Sequence, residues 1–346
     1  MTDLPKLSVR LSGGIAPARC LELAKVADAA GYACVWFAEN PFNRGVLPAA
    51  AACAAATERI GIGIGVVNPY NRHPTLIAME IGALDELAQG RARLGIGSGI
   101  ASATERMGLS ADRPLAALRD AVTIVRALLA GEEVSYGGRA FSANKARLDY
   151  KPRRPDMPLL LAARGEQALA LAGKIADGLM ISNMCPPEFT RHAVAVLRKS
   201  AAEAGRTPPA EVVQYVPCAV RRDRNEAIAL AKQAIAEMLP SYWALGQRVA
   251  SAKTALLLAG DLSESDVAAA VERLRAGADP RDALDDRFIA AFALAGTAED
   301  CLAQARRYRA AGASELALTF LGDQPQIDTA YLGAAISAFG NARDGG

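Results

Sequence analysis

The chain has 346 residues, 51% of them hydrophobic and 22% charged, with a formal net charge of +2. That balance describes a globular protein with ample material for a core and argues against disorder. Basic and acidic residues nearly cancel, no basic tract is interleaved with aromatics, and no apolar run approaches the roughly 20 residues of a membrane span, so neither nucleic acid nor membrane is an expected partner.

The opening MTDLPKLSVR lacks the basic region and apolar stretch of a signal peptide. Six scattered cysteines with no CxxC pair, and only two histidines in the chain, read as buried free thiols in a cytoplasmic protein, with no metal site. The expected partner is a small molecule.

Short β-like runs then alternate with amphipathic helices. LSVRL is the first strand, and a helix over 17–30 ends at Gly31, a C-cap residue. ACVWFAE is the second strand, followed by an Ala-rich helix over 46–57, and RIGIGIGVV is the third. Pro74 opens a helix over 74–89 that Gly90 ends, and RARLGIGSG is the fourth strand. A helix over 111–130 follows, then EEVSYGGRAFS, a small hairpin predicted to turn at Gly137-Gly138. PLLLAA with a helix over 166–176 is the fifth strand, GLMISN with a helix over 187–204 the sixth, and VVQYVPCAV with a helix over 224–238 the seventh. Thr297 and Asp300 stand at capping-box spacing in a helix over 297–311, and ELALTF is the last strand.

VADAAGYACVWF and RYRAAGASELALTF share Ala-Ala-Gly between helix and strand, a weak internal repeat. Eight such units, right-handed and briefly connected, predict an α/β fold of the (β/α)8 TIM-barrel type; an open doubly wound sheet is the alternative, because local pattern does not distinguish closed from open. Segment 240–290 matches no βα unit and reads as a helical insertion before the last strand. Residues 1–346 are thus expected to form one domain.

Barrel enzymes place their chemistry on loops at the carboxyl ends of the strands. There the chain puts Ser12, Gly13 and Gly14; Glu39, Asn40 and Pro41; the cluster NPYNRH; Gly97, Ser98 and Gly99; Arg164 and Gly165; and Ser182 and Asn183. None of these makes a metal set or a nucleophile–base pair, which favours a bound cofactor over side-chain chemistry.

GIGVVNPYNRHP with the following RARLGIGSG, AAGYACVWFAEN before it and GTAEDCLAQARRYRAAGASELAL near the end resemble the bacterial-luciferase-like flavin and deazaflavin oxidoreductases over nearly the whole chain. Within that family the sequence is most similar to the methylenetetrahydromethanopterin reductase branch, which uses coenzyme F420. The resemblance implies a TIM-type barrel with an insertion, a flavin-type ring at its mouth, from FMN or coenzyme F420, and hydride transfer at that ring. It implies that Gly65 and Val66 lie under the ring, joined in relatives by a non-proline cis bond, with Asn68 and the Gly97-Ser98-Gly99 turn at the ring's polar edge or the cofactor side chain. Ala163, Arg164 and Gly165 precede a helix amino terminus suited to a phosphate, and Ser182 is grouped with them as cofactor-binding.

The sequence also departs from the family. Deazaflavin members often carry an Asp-His pair after the second strand, and the matching positions here are Glu39 and Asn40. These two are the candidate catalytic residues, with Glu39 orienting a substrate or taking part in proton transfer if it is buried. Arg72 is expected to lock its loop through an ion pair, and His73 either faces the ring or fixes the loop. Three functions stay open: a hydride-transferring oxidoreductase, an FMN monooxygenase supplied by a separate flavin reductase, and a non-catalytic flavin-binding barrel. Similar proteins are commonly homodimers.

Overall fold

The computed structural model describes residues 4–258 and 260–322, so both ends of the expected 1–346 domain lie outside the described residues. Strands β1 (Lys6–Ser12), β2 (Cys34–Ala38), β3 (Gly61–Val67) and β4 (Ala92–Ile96) alternate with helices α1 (Pro17–Ala29), α2 (Val46–Ala56) and α3 (Pro74–Leu87). Next come α4 (Ala101–Arg106), α5 (Pro114–Leu129) and a hairpin of β5 (Val134–Gly137) and β6 (Ser142–Ala146). Then follow β7 (Leu159–Ala162), α6 (Glu166–Ile175), β8 (Gly178–Ile181), α7 (Pro187–Glu203) and β9 (Glu211–Val220). Helices α8 (Arg224–Arg248), α9 (Ala250–Leu257), α10 (Glu264–Arg275), α11 (Pro280–Ala283) and α12 (Asp286–Phe292) lead to β10 (Leu294–Gly296), α13 (Ala298–Ala311) and β11 (Glu315–Phe320).

Eight parallel strands close in the order β1-β2-β3-β4-β7-β8-β9-β11 and back to β1, which decides for the barrel over the open sheet. Alternation along each strand sorts the side chains. Ile62, Ile64, Leu94, Ile96, Leu316 and Leu318 face outward into a core shared with the helices. Cys34, Trp36, Leu160, Met180, Val213, Tyr215 and Ala317 face inward and plug the barrel. At the amino-terminal end of the plug, Glu315 accepts hydrogen bonds from Ser8 Oγ (2.6 Å), Trp36 Nε1 (2.7 Å) and Arg93 (2.8 and 3.0 Å). Arg93 also pairs with Glu211 and stacks on Trp36, 4.5 Å from the ring centre.

The repeated Ala-Ala-Gly junctions end their helices alike. Tyr32 N bonds to Ala27 O and Ala313 N to Tyr308 O, both at 3.0 Å, the longer bond of a Schellman motif.

Four sequence expectations need correction. The hairpin does not turn at Gly137-Gly138: Gly137 already pairs with Ser142. Its loop is set by Asp120 of α5, which accepts from Ala140 N (2.7 Å) and Phe141 N (3.1 Å), a partner too distant in sequence for a turn rule to see. The helix expected from residue 111 begins at Pro114, and the short α4 precedes it. The helix over 224–238 runs to Arg248 through Pro240, because its buried residues Ala227, Ala231, Ile235, Leu239 and Trp243 keep a four-residue step across the proline. The insertion is helical as expected, and with α8 it builds its own core around Leu239, Val267, Val271, Phe288 and Phe292. Lastly, the three-residue β10 extends the sheet beside β9 and is too short to leave a periodic signal.

Among the described residues no helix is long and apolar enough to cross a membrane. All six cysteines are free and buried.

Candidate active site

The sheet order β2-β3-β4-β7-β8 puts the carboxyl ends of five neighbouring strands side by side. Glu39 and Asn40, Gly65 and Val66, Gly97 to Gly99, Ala163 to Gly165, and Ser182 therefore occupy one continuous arc of the mouth.

At the centre of this arc the Gly65–Val66 peptide is cis. The β3–β4 register passes from Gly65 opposite Gly95 to Val67 opposite Ile96, so Val66 is an extra residue that bulges from the ladder. Gly65 faces the plug, where a Cβ would lie 2.1 Å from the Tyr215 hydroxyl and 2.6 Å from Met180 Cε; only glycine fits. The Tyr215 hydroxyl donates to Gly65 O at 2.7 Å and holds the bulge from beneath. Val66 is half-buried and leans over Gly97, where an added Cβ would meet its Cγ2 at 2.7 Å. The glycines of GIGSG thus make room for the β3 tip, with Ser98 half-exposed beside it.

The cluster NPYNRH forms a collar around that tip. Asn68 is buried, and both ends of its amide are engaged: Nδ2 donates to Thr104 Oγ1 (3.2 Å) and Oδ1 accepts from Tyr70 N (3.0 Å). The Tyr70 hydroxyl donates to the Asp112 carbonyl. Arg72 grips Glu39 with bonds of 3.1 to 3.3 Å and reaches Glu80 at 2.7 Å, the ion pair expected of it. The side chains of Glu39 and Arg72 are only 15% and 20% exposed, so solvent screens this pair weakly. Burial works against the Arg72 charge, yet the two glutamates more than offset it and hold its pKa above the ordinary value. His73 caps α3, its Nδ1 accepting from Thr75 N (3.3 Å), and its ring stands edge-on to Phe141. Of the two roles considered for His73, this geometry is loop-fixing. The Asn40 carbonyl accepts from Asn43 N (3.2 Å) in the next turn.

On the β7–β8 side, Arg164 Nη2 donates to Ser182 Oγ (2.6 Å) and to the Asn183 carbonyl (2.7 Å), and its guanidinium lies over Tyr242 of α8. Arg164 thus joins two rim loops to the insertion. Ala163 is buried beside it, with its N–H on Met180 O (3.3 Å). Gly165 caps α6 without any side-chain hydrogen bond, which leaves first-turn amides for an anion. Glu166 turns away to His192. Next to this helix end opens a cavity of about 710 Å³ lined by Arg113, Arg139 and Gln167 together with 114–116.

These residues fit a flavin-type group. Val66 offers a half-exposed apolar seat, crowded glycines keep its surroundings low, and an uncapped helix end with two nearby arginines suits a phosphorylated side chain. Sequence reasoning missed Tyr215, Thr104, Arg113 and Arg139. Tyr215 was within reach, since it shares the inward phase of Val213 in VVQYVPCAV; the others lie on a short helix, a helix cap and a hairpin loop without local signatures.

A closed barrel with a bulged third strand and an arc of small and polar residues at its mouth defines the class, and the chain belongs to the luciferase-like monooxygenase family, whose sequence profile matches residues 1–315. It is a luciferase-like oxidoreductase of the flavin- or deazaflavin-dependent kind. Over 299 residues it is 31% identical to the 5,10-methylenetetrahydromethanopterin reductase of Archaeoglobus fulgidus, covering 84% of this chain and 86% of that protein. It is 32% identical over 228 residues to the F420-dependent glucose-6-phosphate dehydrogenase of Beutenbergia cavernae, covering 62% and 67%. The solved coenzyme F420-dependent tetrahydromethanopterin reductase of Methanopyrus kandleri shares the fold, with a TM-score of 0.81 at 24% identity over 97% of both chains.

Proposed function

We propose that this oxidoreductase uses coenzyme F420 to reduce an unsaturated carbon, imine-like or part of an activated double bond, in a small organic substrate. The observation that carries this reading is the half-exposed Val66 bulge, held from beneath by the Tyr215–Gly65 hydrogen bond. When bound, the reduced cofactor supplies the hydride. The chain does the rest. Val66 seats the ring, and the apolar plug under it excludes water from below. The free amides of α6 receive the phosphate. Glu39, fixed by Arg72, and Asn40 orient the substrate from the adjoining strand end.

The choice of F420 over FMN rests on charge. FMN carries one phosphate, whereas F420 continues into a phosphodiester and glutamyl carboxylates. Arg113 and Arg139, lining a cavity beside the α6 terminus, suit the longer polyanion. The relatives named as F420-dependent glucose-6-phosphate dehydrogenases support the same choice. The second reading is an FMN monooxygenase fed by a separate flavin reductase, and it is favoured by Glu39 and Asn40 standing where an Asp-His pair is usual in deazaflavin members.

Absorption titrations with F420 and with FMN test the reading. Saturation by F420, weakened by Arg113→Gln and Arg139→Gln, is the expected result. Saturation by FMN alone, with oxygen uptake once it is reduced, establishes the second reading, and binding of neither sinks both.

Two coarser features complete the proposal. Helix α3 leaves Leu76, Met79 and Leu87 about half exposed along one face, and we read this face as a homodimer contact that light scattering would detect. Six free, buried thiols suit the reducing cytoplasm.

A further inference from the structure

The mouth holds a cation that the cofactor chemistry above does not use. Arg10 projects from β1 into the barrel, on the same face as Ser8 and Ser12. Its Nη1 donates to Thr319 Oγ1 (3.3 Å), and its guanidinium lies over the Tyr215 ring, 5.0 Å from the centre. Its Nε is shielded from solvent and has no hydrogen-bond partner among the described residues. Among the described residues no ion pair is formed by Arg10, and the carboxylates of the neighbouring strand ends have other partners: Glu315 and Glu211 face Arg93, and Glu39 faces Arg72. Trp36, Leu160, Val213 and Ala317 are completely buried and seal the barrel below, so the partial exposure of Arg10 opens toward the mouth. Tyr215, on which it stacks, also holds the Gly65 carbonyl, so Arg10 stands one side chain away from the seat of the ring.

We propose that Arg10 is a substrate-binding residue that receives a carboxylate on the substrate. The inference rests on the reading that the cofactor ring sits on Val66. A half-desolvated guanidinium with no counter-ion among the described residues is unfavourable alone; a carboxylate arriving through the mouth supplies the missing charge and an acceptor for its Nη groups. Thr319 and the Tyr215 ring fix the fork beforehand, so little side-chain freedom is lost on binding. The substrate class is therefore an unsaturated carboxylic acid, with the acid held by Arg10 and the reducible carbon toward the ring.

The test measures binding of cinnamate, fumarate and their methyl esters by calorimetry. Wild type, Arg10→Gln and Arg10→Lys are compared, each cofactor-free and loaded with F420, with F420 affinity measured separately by absorption. An acid should bind about tenfold or more tighter than its ester; Arg10→Gln should erase that preference, Arg10→Lys should keep part of it, and F420 affinity should stay within about twofold throughout. The proposal is overturned if no acid binds, if acid and ester bind alike, if Arg10→Gln keeps the preference, or if F420 affinity falls in parallel, which would make Arg10 a partner of the cofactor. If Arg10→Gln does not fold, Arg10→Lys and the acid–ester ratio of wild type decide. Arg10-dependent acid binding without F420 binding would sink the cofactor reading while the Arg10 assignment stands.

Discussion

Two arginines inside one barrel have opposite surroundings. Arg93, at the amino-terminal end, meets both Glu315 and Glu211 and stacks on Trp36, and Glu315 is in turn satisfied by Ser8 and Trp36. Arg10, toward the mouth, has a threonine hydroxyl, an aromatic face and an unpartnered Nε. A charge-saturated network holds a structure, because each buried charge already faces its opposite. An unsaturated one leaves interaction free energy for a ligand. The same contrast separates the two ends of the barrel: one is closed by internal pairs, the other is ringed by groups that face an opening.

Removing one partner from the closed end should have the largest effect. Glu315→Gln leaves Arg93 short of a charge in a buried site and should cost about 3–5 kcal/mol in urea unfolding. Arg10→Gln should cost less than about 1 kcal/mol. Equal losses would erase the distinction between the two arginines.

Asp28 probes the same closed end from outside the barrel. Its carboxylate accepts from the backbone N–H groups of Glu58 (3.0 Å), Arg59 (3.2 Å) and Ile60 (2.8 Å) and ties the α2–β3 loop to α1. Burial alone would raise its pKa, but these bonds and the Arg59 charge hold it below the ordinary carboxylate value. A depressed folded pKa means the stabilisation is present above the unfolded value, near about 3.9, and is lost as pH falls below it. Asp28→Asn should cost about 1.5–3 kcal/mol at neutral pH and flatten the acid limb of stability against pH. An unchanged acid limb would remove Asp28 from the account.

At the open end, Gly65→Ala forces a methyl group into Tyr215 and Met180 and should cost about 1–3 kcal/mol, with a disproportionate loss of cofactor affinity in the absorption titration. A stable variant that binds cofactor normally would show that the bulge is not the seat. Arg72→Leu strips the weakly screened Glu39 carboxylate of its partner and should cost about 1–3 kcal/mol, accompanied by a clear drop in turnover because Glu39 loses its anchor. Thermal melts that move while turnover does not would reverse that assignment.

Much of the architecture was legible in the chain. Strand phases in GIGIGVV and ELALTF, helix ends at Gly31 and Gly90, and the capping box at Thr297 each act over a few residues, and each appears in the structure. The candidate site's arc of loop ends was legible, together with the Arg72 ion pair. Its inner support was not. Nothing in the neighbours of Tyr215 announces a bond to Gly65, 150 positions away, and nothing around Asp120 announces a hairpin loop.

The sequence by itself determined where the barrel strands and most of their helices lie, which strand faces are apolar, and which loops share the mouth, because periodicity and capping depend on residues adjacent along the chain. Tertiary structure alone decided that the sheet closes, that α8 passes through Pro240 on a continuous buried stripe, that Gly65 has no room for a methyl group, and that Arg93 is paired while Arg10 is not. Those outcomes depend on which groups from distant strands meet inside one barrel, and pairing of that kind is set by packing in space.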